Sequence, residues 1–237
     1  MIIYHEITAC RSCGGDLTNV LDLGAHAISD FGSGRELDDT APLVLCICAA
    51  CGLVQLRHTV DRNRLYQRYW YRSGTNELMG AALCNVGDHA VSQVELELGD
   101  TVVDIGANDG TLLKQYQGAL LKQYQPKFLR YIGFEPAHNL WEEAVRSGLG
   151  CISEQFFPPT QWSMAIPNAK IITSIAMFYD VEDLDAFVDN WLRMAALGRT
   201  PKAPRTPKRV TASEPKRTTR ASAKTVFTLA EVQALLA

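Results

Sequence analysis

The sequence predicts an α/β protein: a parallel sheet with helices on both faces, preceded by a small four-cysteine metal-binding domain. Two observations carry this reading. From Asp100 onward, short apolar runs alternate with helix-compatible segments, the rhythm of parallel strands joined by crossover helices. Ahead of residue 60, two C-x2-C pairs lie in cysteine- and glycine-rich chain. At 237 residues there is chain enough to bury a core, and the 47% hydrophobic and 21% charged content excludes wholesale disorder and fibrous architecture.

Four regions separate on composition. Residues 1–60 form the metal domain, with short apolar runs at 20–23 and 42–45. Residues 61–99 are polar and helical in pattern, a connector or lid carrying Tyr66, Tyr69, Trp70 and Tyr71; the first three read as aromatics that pack a helix. Residues 100–197 carry the alternating pattern. Strands are expected at 101–105, 131–134 and 170–175, with a fourth at 150–153, and helices at 111–125, 138–147 and 182–197. Within the first of these helices LLKQYQ occurs twice, at 112–117 and 120–125. Eight residues rotate a helix by about 80° beyond two turns, so the copies cannot offer one face to a sheet. A duplication on an outer helix, or a loop at Gly118, would accommodate them.

The last region, 198–237, is a basic, proline-rich tail, expected to be disordered except for a short helix at 226–236. Between residues 198 and 224, nine Lys or Arg stand against one acid, Glu214, so the rest of a chain of net charge −3 is strongly acidic. Such a run is most simply a solvated segment. Its charge could also meet nucleic-acid phosphates non-specifically, while the lack of interleaved aromatics argues against reading bases. The best apolar candidate for a membrane span, 43–54, is too short and holds three cysteines, so no membrane contact is expected. The start has no basic region followed by an apolar run. A cytoplasmic location is therefore expected, where cysteines stay reduced and hold metal rather than form a disulfide framework.

Cys10 and Cys13 form one pair, Cys48 and Cys51 the other, each followed by a glycine (Gly14, Gly52) that permits a tight turn. Four thiolates suit tetrahedral Zn²⁺, and a site closed by four sulfurs leaves no position for catalytic water, so the metal is structural. Redox pairs or core cysteines are the alternative. Cys46 is a rival ligand with a poorer spacing, and Cys84 and Cys151 read as buried apolar thiols. A recognition helix of the kind zinc-finger DNA readers need does not follow Cys51, which with the acidic body argues against a nucleic-acid-binding zinc protein.

The second signal is the run 102–110, VVDIGANDG, closing a strand and opening a helix. Gly106 and Gly110 would let the backbone approach a ligand, and Asn108 tolerates the left-handed geometry a glycine would supply. Asp104, placed before the turn, would repel a pyrophosphate and suits a cationic or hydroxyl-bearing ligand. Glu135, after the next strand, can accept hydrogen bonds from two ribose hydroxyls. A tight turn beside an exposed acid is the bland alternative. His58, His89 and His138 show no partner pattern and read as structural or exposed.

These residues resemble class I S-adenosylmethionine-dependent methyltransferases. The order of motifs resembles one narrower family, the deoxysugar C-methyltransferases with an N-terminal zinc-binding domain: C-x2-C, CAACGLVQL (48–56), YRSGTNELM (71–79), DIGANDGTLL (104–113), FEP (134–136) and SIAMFYDVEDLDAFV (174–188). The resemblance covers residues 8–195 and implies a Rossmann-like sheet of strand order 3-2-1-4. It implies that Gly106, Asn108, Asp109 and Gly110 wrap the methionine moiety, that Glu135 holds the ribose, and that Phe156 lies near adenine. Ala176 and Met177 would line the loop after the fourth strand. Tyr71, Ser73 and Gly74 would form a lid segment near the sulfonium, with Tyr71 the acid–base candidate. Family members methylate a carbon of a nucleotide-linked keto-sugar, a small-molecule substrate.

After about Leu197 the family pattern stops. Proteins of this type continue into further strands and a C-terminal substrate domain with a Glu-His motif, so the sheet is expected to be incomplete at that end. Two expectations follow: a C-methyltransferase of a nucleotide-linked keto-deoxysugar or similar small molecule, or a non-catalytic remnant that binds zinc and S-adenosylmethionine.

Overall fold

Among the described residues, five strands make up the N-terminal region: β1 (Tyr4–Glu6), β2 (Leu17–Ala27), β3 (Thr40–Cys48), β4 (Val54–Leu56) and β5 (His58–Val60). β2, β3 and β4 form an antiparallel sheet with β3 in the middle, and β1 pairs antiparallel with β5. Side chains alternate across a strand, so Val44, Cys46 and Cys48 of β3 are buried while Leu45 and Ile47 face the other way. The computed structural model describes residues 3–28, 39–97, 99–123, 130–149, 152–159, 166 and 169–195. The basic tail with its expected terminal helix, Cys151, and the end of the second LLKQYQ copy lie outside those residues.

The connector begins at Asp61, whose carboxylate accepts the Asn63 amide at the start of α1 (Arg62–Tyr66). A short 3-10 turn at Ser73–Thr75 leads to α2 (Glu77–Ser92), capped by Asn76, which accepts from the amides of Leu78 and Met79. Tyr69 and Trp70 fall between the helices rather than on one. Cys84, on α2, is half-buried rather than buried.

The α/β region then runs β6 (Thr101–Ile105), α3 (Thr111–Gln123), β7 (Arg130–Phe134), α4 (His138–Arg146), β8 (Ile152–Ser153), β9 (Ala169–Ser174) and α5 (Leu184–Met194). The strands form one parallel sheet in the order β8-β7-β6-β9. β6 is buried at every position, as a central strand covered on both faces must be. Val102 and Ile171 pack with Leu83, Val91, Leu113, Tyr116 and Ala144 from α2, α3 and α4. On the opposite face Val103, Ile105, Ile132 and Phe134 pack with Phe157 and with Phe187 and Met194 of α5. Phe157 sits edge-on to Phe134 and Phe187, with ring centroids 5.3 and 5.0 Å apart. Each such buried side chain contributes about 1.5–3 kcal/mol of transfer free energy.

The repeated hexapeptide does not loop out at Gly118. α3 runs through that glycine without a break, and the first copy supplies its buried stripe, Leu112, Leu113 and Tyr116. Among the described residues no helix is long and apolar enough to cross a membrane.

Candidate functional site

The first site is the cysteine cluster. Each C-x2-C pair turns back on itself, with the Gly14 amide donating to Cys10 O and the Gly52 amide to Cys48 O, and both glycines have positive φ, 72° and 76°. The four sulfurs lie within 4.8 Å of one another, Cys10 at 3.7 Å from Cys51 and Cys13 at 3.4 Å from Cys48. Zn–S bonds of about 2.3 Å in a tetrahedron set sulfurs about 3.8 Å apart, so the cluster fits the ion. Gln55 Nε2 donates to Cys10 Sγ at 3.2 Å. Burial opposes ionisation of Cys10, yet the amides of Cys13 and Ser12, with Gln55 and Cys51, bring its pKa down to about 6. The Cys51 amide is the largest influence on Cys48, which is also lowered. Cys46 is not a fifth partner: its thiol donates to Gln55 O on the buried side of β3.

The second site is a 780 Å³ cavity at the carboxyl ends of the parallel strands. Its floor is the turn after β6 (Ile105, Gly106, Ala107, Asn108), flanked by Glu135 and Pro136 after β7, Phe156–Pro158 after β8, and Ile175–Met177 after β9. The connector covers it with Tyr66, Tyr69, Trp70, Tyr71 and Ser73. A 480 Å³ recess shares Arg62, Pro136 and Phe156 with it, and the Arg62 guanidinium stands 4.4 Å over the Phe156 ring.

Asp104 and Glu135 line this one hollow, 3% and 6% exposed. Thr173 Oγ1 donates to Asp104 Oδ1 at 2.7 Å. Burial pushes the Asp104 pKa up to about 7, Thr173 opposing and the Glu135 charge adding to it. Glu135 accepts the Asn108 amide on one oxygen and the Ala137 amide on the other, both at 2.8 Å. A carboxylate oxygen has two lone pairs, so each keeps an acceptor position. Burial raises Glu135 to about 6 against those two amides, with Asp109 adding to the rise. Two desolvated carboxyls on one hollow favour a ligand that brings positive charge or hydroxyl donors.

Nine of the twelve candidate cofactor residues line the cavity: Tyr71, Ser73, Asp104, Gly106, Asn108, Glu135, Phe156, Ala176 and Met177. Asn108 and Ala176 hold left-handed backbone, φ 53° and 54°. A methyl group on Gly106 would lie 3.0 Å from the Met177 side chain. Gly74, Asp109 and Gly110 stand behind the wall. Asp109 accepts the Gly74 amide at 2.7 Å and both the amide and hydroxyl of Thr111. Asn108 accepts the Ser73 amide and donates to Tyr71 O. The glycine turn thus clasps the connector over the cavity, a role its motif does not announce. Gly110 makes room for Leu149, whose Cδ1 an added Cβ would clash with.

Several residues of the site escape sequence reasoning. Tyr66, Tyr69 and Trp70 line the cavity instead of packing a helix, and Tyr179 and Asp180, on the 3-10 turn after β9, line it too. The usable signal was FYD (178–180), inside a motif that the resemblance already spans. His138 does have partners: Nδ1 lies 2.8 Å from Glu154, and the ring stacks on Trp141.

Residues 10–66 match the family model "Putative zinc binding domain" (Methyltransf_13). The chain is also 30% identical over 160 residues to the C-methyltransferase NovU of Streptomyces niveus, an alignment covering 65% of this chain and 36% of that protein. The chain therefore spans little more than a third of the curated relative it matches.

Proposed function

We propose that this chain carries the zinc-binding and S-adenosylmethionine-binding parts of a small-molecule C-methyltransferase, with a nucleotide-linked keto-deoxysugar the best-supported class of acceptor. The carrying observation is that Asp104 and Glu135, at the ends of neighbouring strands, face a single cavity. The similarity to a C-methyltransferase supports an enzyme over a non-catalytic binding module. On this reading residues 1–60 are a zinc domain, 61–99 a lid, and 100–197 a Rossmann-like domain whose first four strands stand in the order 3-2-1-4.

When bound, S-adenosylmethionine supplies an electrophilic methyl group on a sulfonium. Glu135, held by two backbone amides, presents its remaining lone pairs to ribose hydroxyls. Gly106 and Asn108 shape the wall beside the methionine moiety, Phe156 offers a ring beside the base, and Ala176 and Met177 close the far side. Asp109 and Gly110 act from behind, fixing the turn and, through Gly74, the lid. Methylation of a carbon beside a ketone needs a proton removed and the donor held in line. Tyr71, on the lid and facing the cavity, is the acid–base candidate this chain supplies. The zinc site lies apart from this chemistry and holds the N-terminal fold together.

Calorimetric titration with S-adenosylmethionine tests the assignment. Wild type should bind, and D104A and E135A should each lose at least about tenfold, the scale of a hydrogen bond to a charged group. A wild-type chain that gives no heat and no shift in melting temperature would overturn it.

A further inference from the structure

The zinc domain carries an apolar sheet face that the described residues leave open. In β3 the run PLVLCIC (42–48) is apolar at every position, the pattern of a strand covered on both faces; a strand with one wet face alternates apolar and polar. On one side Val44, Cys46 and Cys48 are buried. On the other, the register sets Leu21, Leu45 and Leu56 in one row across the three strands, and Thr18, Ile47 and Val54 in the next. Leu23 extends the patch along β2. Leu21, Leu23, Val54 and Leu56 are 46%, 51%, 55% and 42% exposed. Apolar side chains exposed singly need no partner, but a contiguous set across a sheet marks a docking surface.

Strand geometry makes this patch about 10 Å wide and about 16 Å long. That footprint is far below the roughly 800 Å² per partner of a stable interface, so it is too small to hold two copies together. Register breaks at Asn19/Leu21 and Asp22/Ala25 also disrupt the β2 ladder, which discourages a second copy from adding a strand at that edge. What fits is one helix of about three turns, since eleven residues rise about 16 Å. The chain has such a segment, outside the described residues. In 226–236, VFTLAEVQALL, helical geometry would place Val226, Leu229, Val232 and Leu236 on one stripe about 120° wide. Residues 196–225 can extend to about 100 Å, more than the span of a folded chain of this size, so reach is no obstacle. This spacer holds the nine Lys or Arg of the basic run, while residues 1–60 hold seven acids against three arginines. Four thiolates on one Zn²⁺ add further negative charge when the metal is bound. Opposite charge draws the spacer to the zinc domain. We propose that residues 226–236 pack as a helix on the face formed by Leu21, Leu45 and Leu56, tying the basic segment to the zinc domain. This does not depend on the methyltransferase reading.

The test uses the full zinc-loaded chain carrying Leu21→p-benzoylphenylalanine, a photoreactive side chain, and in a second preparation Val54→p-benzoylphenylalanine. Both positions are about half exposed, so the fold tolerates the larger ring, and one zinc per chain checks it. If one labelled chain fails that check, the other carries the test. Irradiation should give a monomer in which the labelled position is joined to residues 226–236, read by peptide mass spectrometry. Adding L229D and V232D should cut that yield at least about tenfold, the worth of one buried leucine side chain, with zinc content unchanged. A cross-linked dimer whose yield grows with protein concentration overturns the proposal in favour of self-association. Products lacking residues 226–236, or a yield that the two aspartates do not change, overturn it outright.

Discussion

Thr173 Oγ1 donates to Asp104 Oδ1 at 2.7 Å across neighbouring parallel strands, and the two residues are direct register partners. The bond favours the charged form of a carboxyl that burial otherwise drives toward its neutral form. Thr173→Val keeps the shape and removes the donor. Asp104 should then titrate higher still, and S-adenosylmethionine affinity at pH 7 should fall by about tenfold, the scale of a hydrogen bond to a charged group. Titration near pH 8.5 should recover much of the loss; a pH-independent defect would mean that Thr173 acts on shape alone.

The same carboxyl makes stability depend on pH. Its folded pKa of about 7 lies above the ordinary 3.8, so the folded state holds its proton more tightly than the unfolded chain. The resulting penalty is absent below about pH 4, grows as pH rises, and is complete above about pH 7. Its ceiling is roughly 4 kcal/mol. Glu135 acts in the same direction, up to about pH 6. In urea unfolding from about pH 5.5 to about pH 8.5, D104N should gain on wild type as pH rises to about 7 and level off above it. Parallel stability curves would contradict this.

The cysteine cluster makes a contrast between neighbours. C13S or C48S should abolish stoichiometric zinc and make the N-terminal region protease-sensitive, since binding energy at such a site is folding energy. C46A should keep one zinc per chain, because the Cys46 thiol is spent on Gln55 O and not on the cluster. Elemental analysis of the three purified variants decides it.

Two glycines should respond oppositely to one methyl group. G110A places a Cβ against Leu149 and Ala144 at φ 77°, and should cost about 2–4 kcal/mol. G118A meets nothing within 4 Å inside α3 and should stabilise by about 0.5–1 kcal/mol. Thermal melts of the pair test whether α3 is continuous through the repeat.

The main elements were legible because their signals are local. TVVDI reads as a buried strand from its own apolar run, and it spans Thr101–Ile105 as expected. The expected α4 runs one residue past its end and the expected α5 starts two residues early, where caps such as Asp183 decide the boundary, while residues 196–197 of the expected α5 lie outside the described residues. The aromatic connector was misread for a different reason. Tyr66, Tyr69 and Trp70 have helix-like spacing, but only one of them lies on a helix, and whether such rings face a core or a cavity depends on what packs opposite. His138 is a similar case, since Glu154 reaches it from beyond β8.

What the sequence determined by itself was chemistry with short-range geometry: two C-x2-C turns, an acid before a glycine turn, and a second acid after the next strand. Tertiary structure decided what those pieces touch. It drew four sulfurs from segments 35 or more residues apart into one cluster, set Asp104 and Glu135 on one hollow, and bound Asn108 and Asp109 to the lid instead of leaving both free for a ligand. It also brought Tyr66 and Asp180, which lie more than a hundred residues apart in the chain, to the lining of one cavity. The division is physical. Backbone turns and strand propensity are set by adjacent residues, whereas burial, and with it the pKa and availability of every polar group, is set by whichever distant segment arrives to cover it.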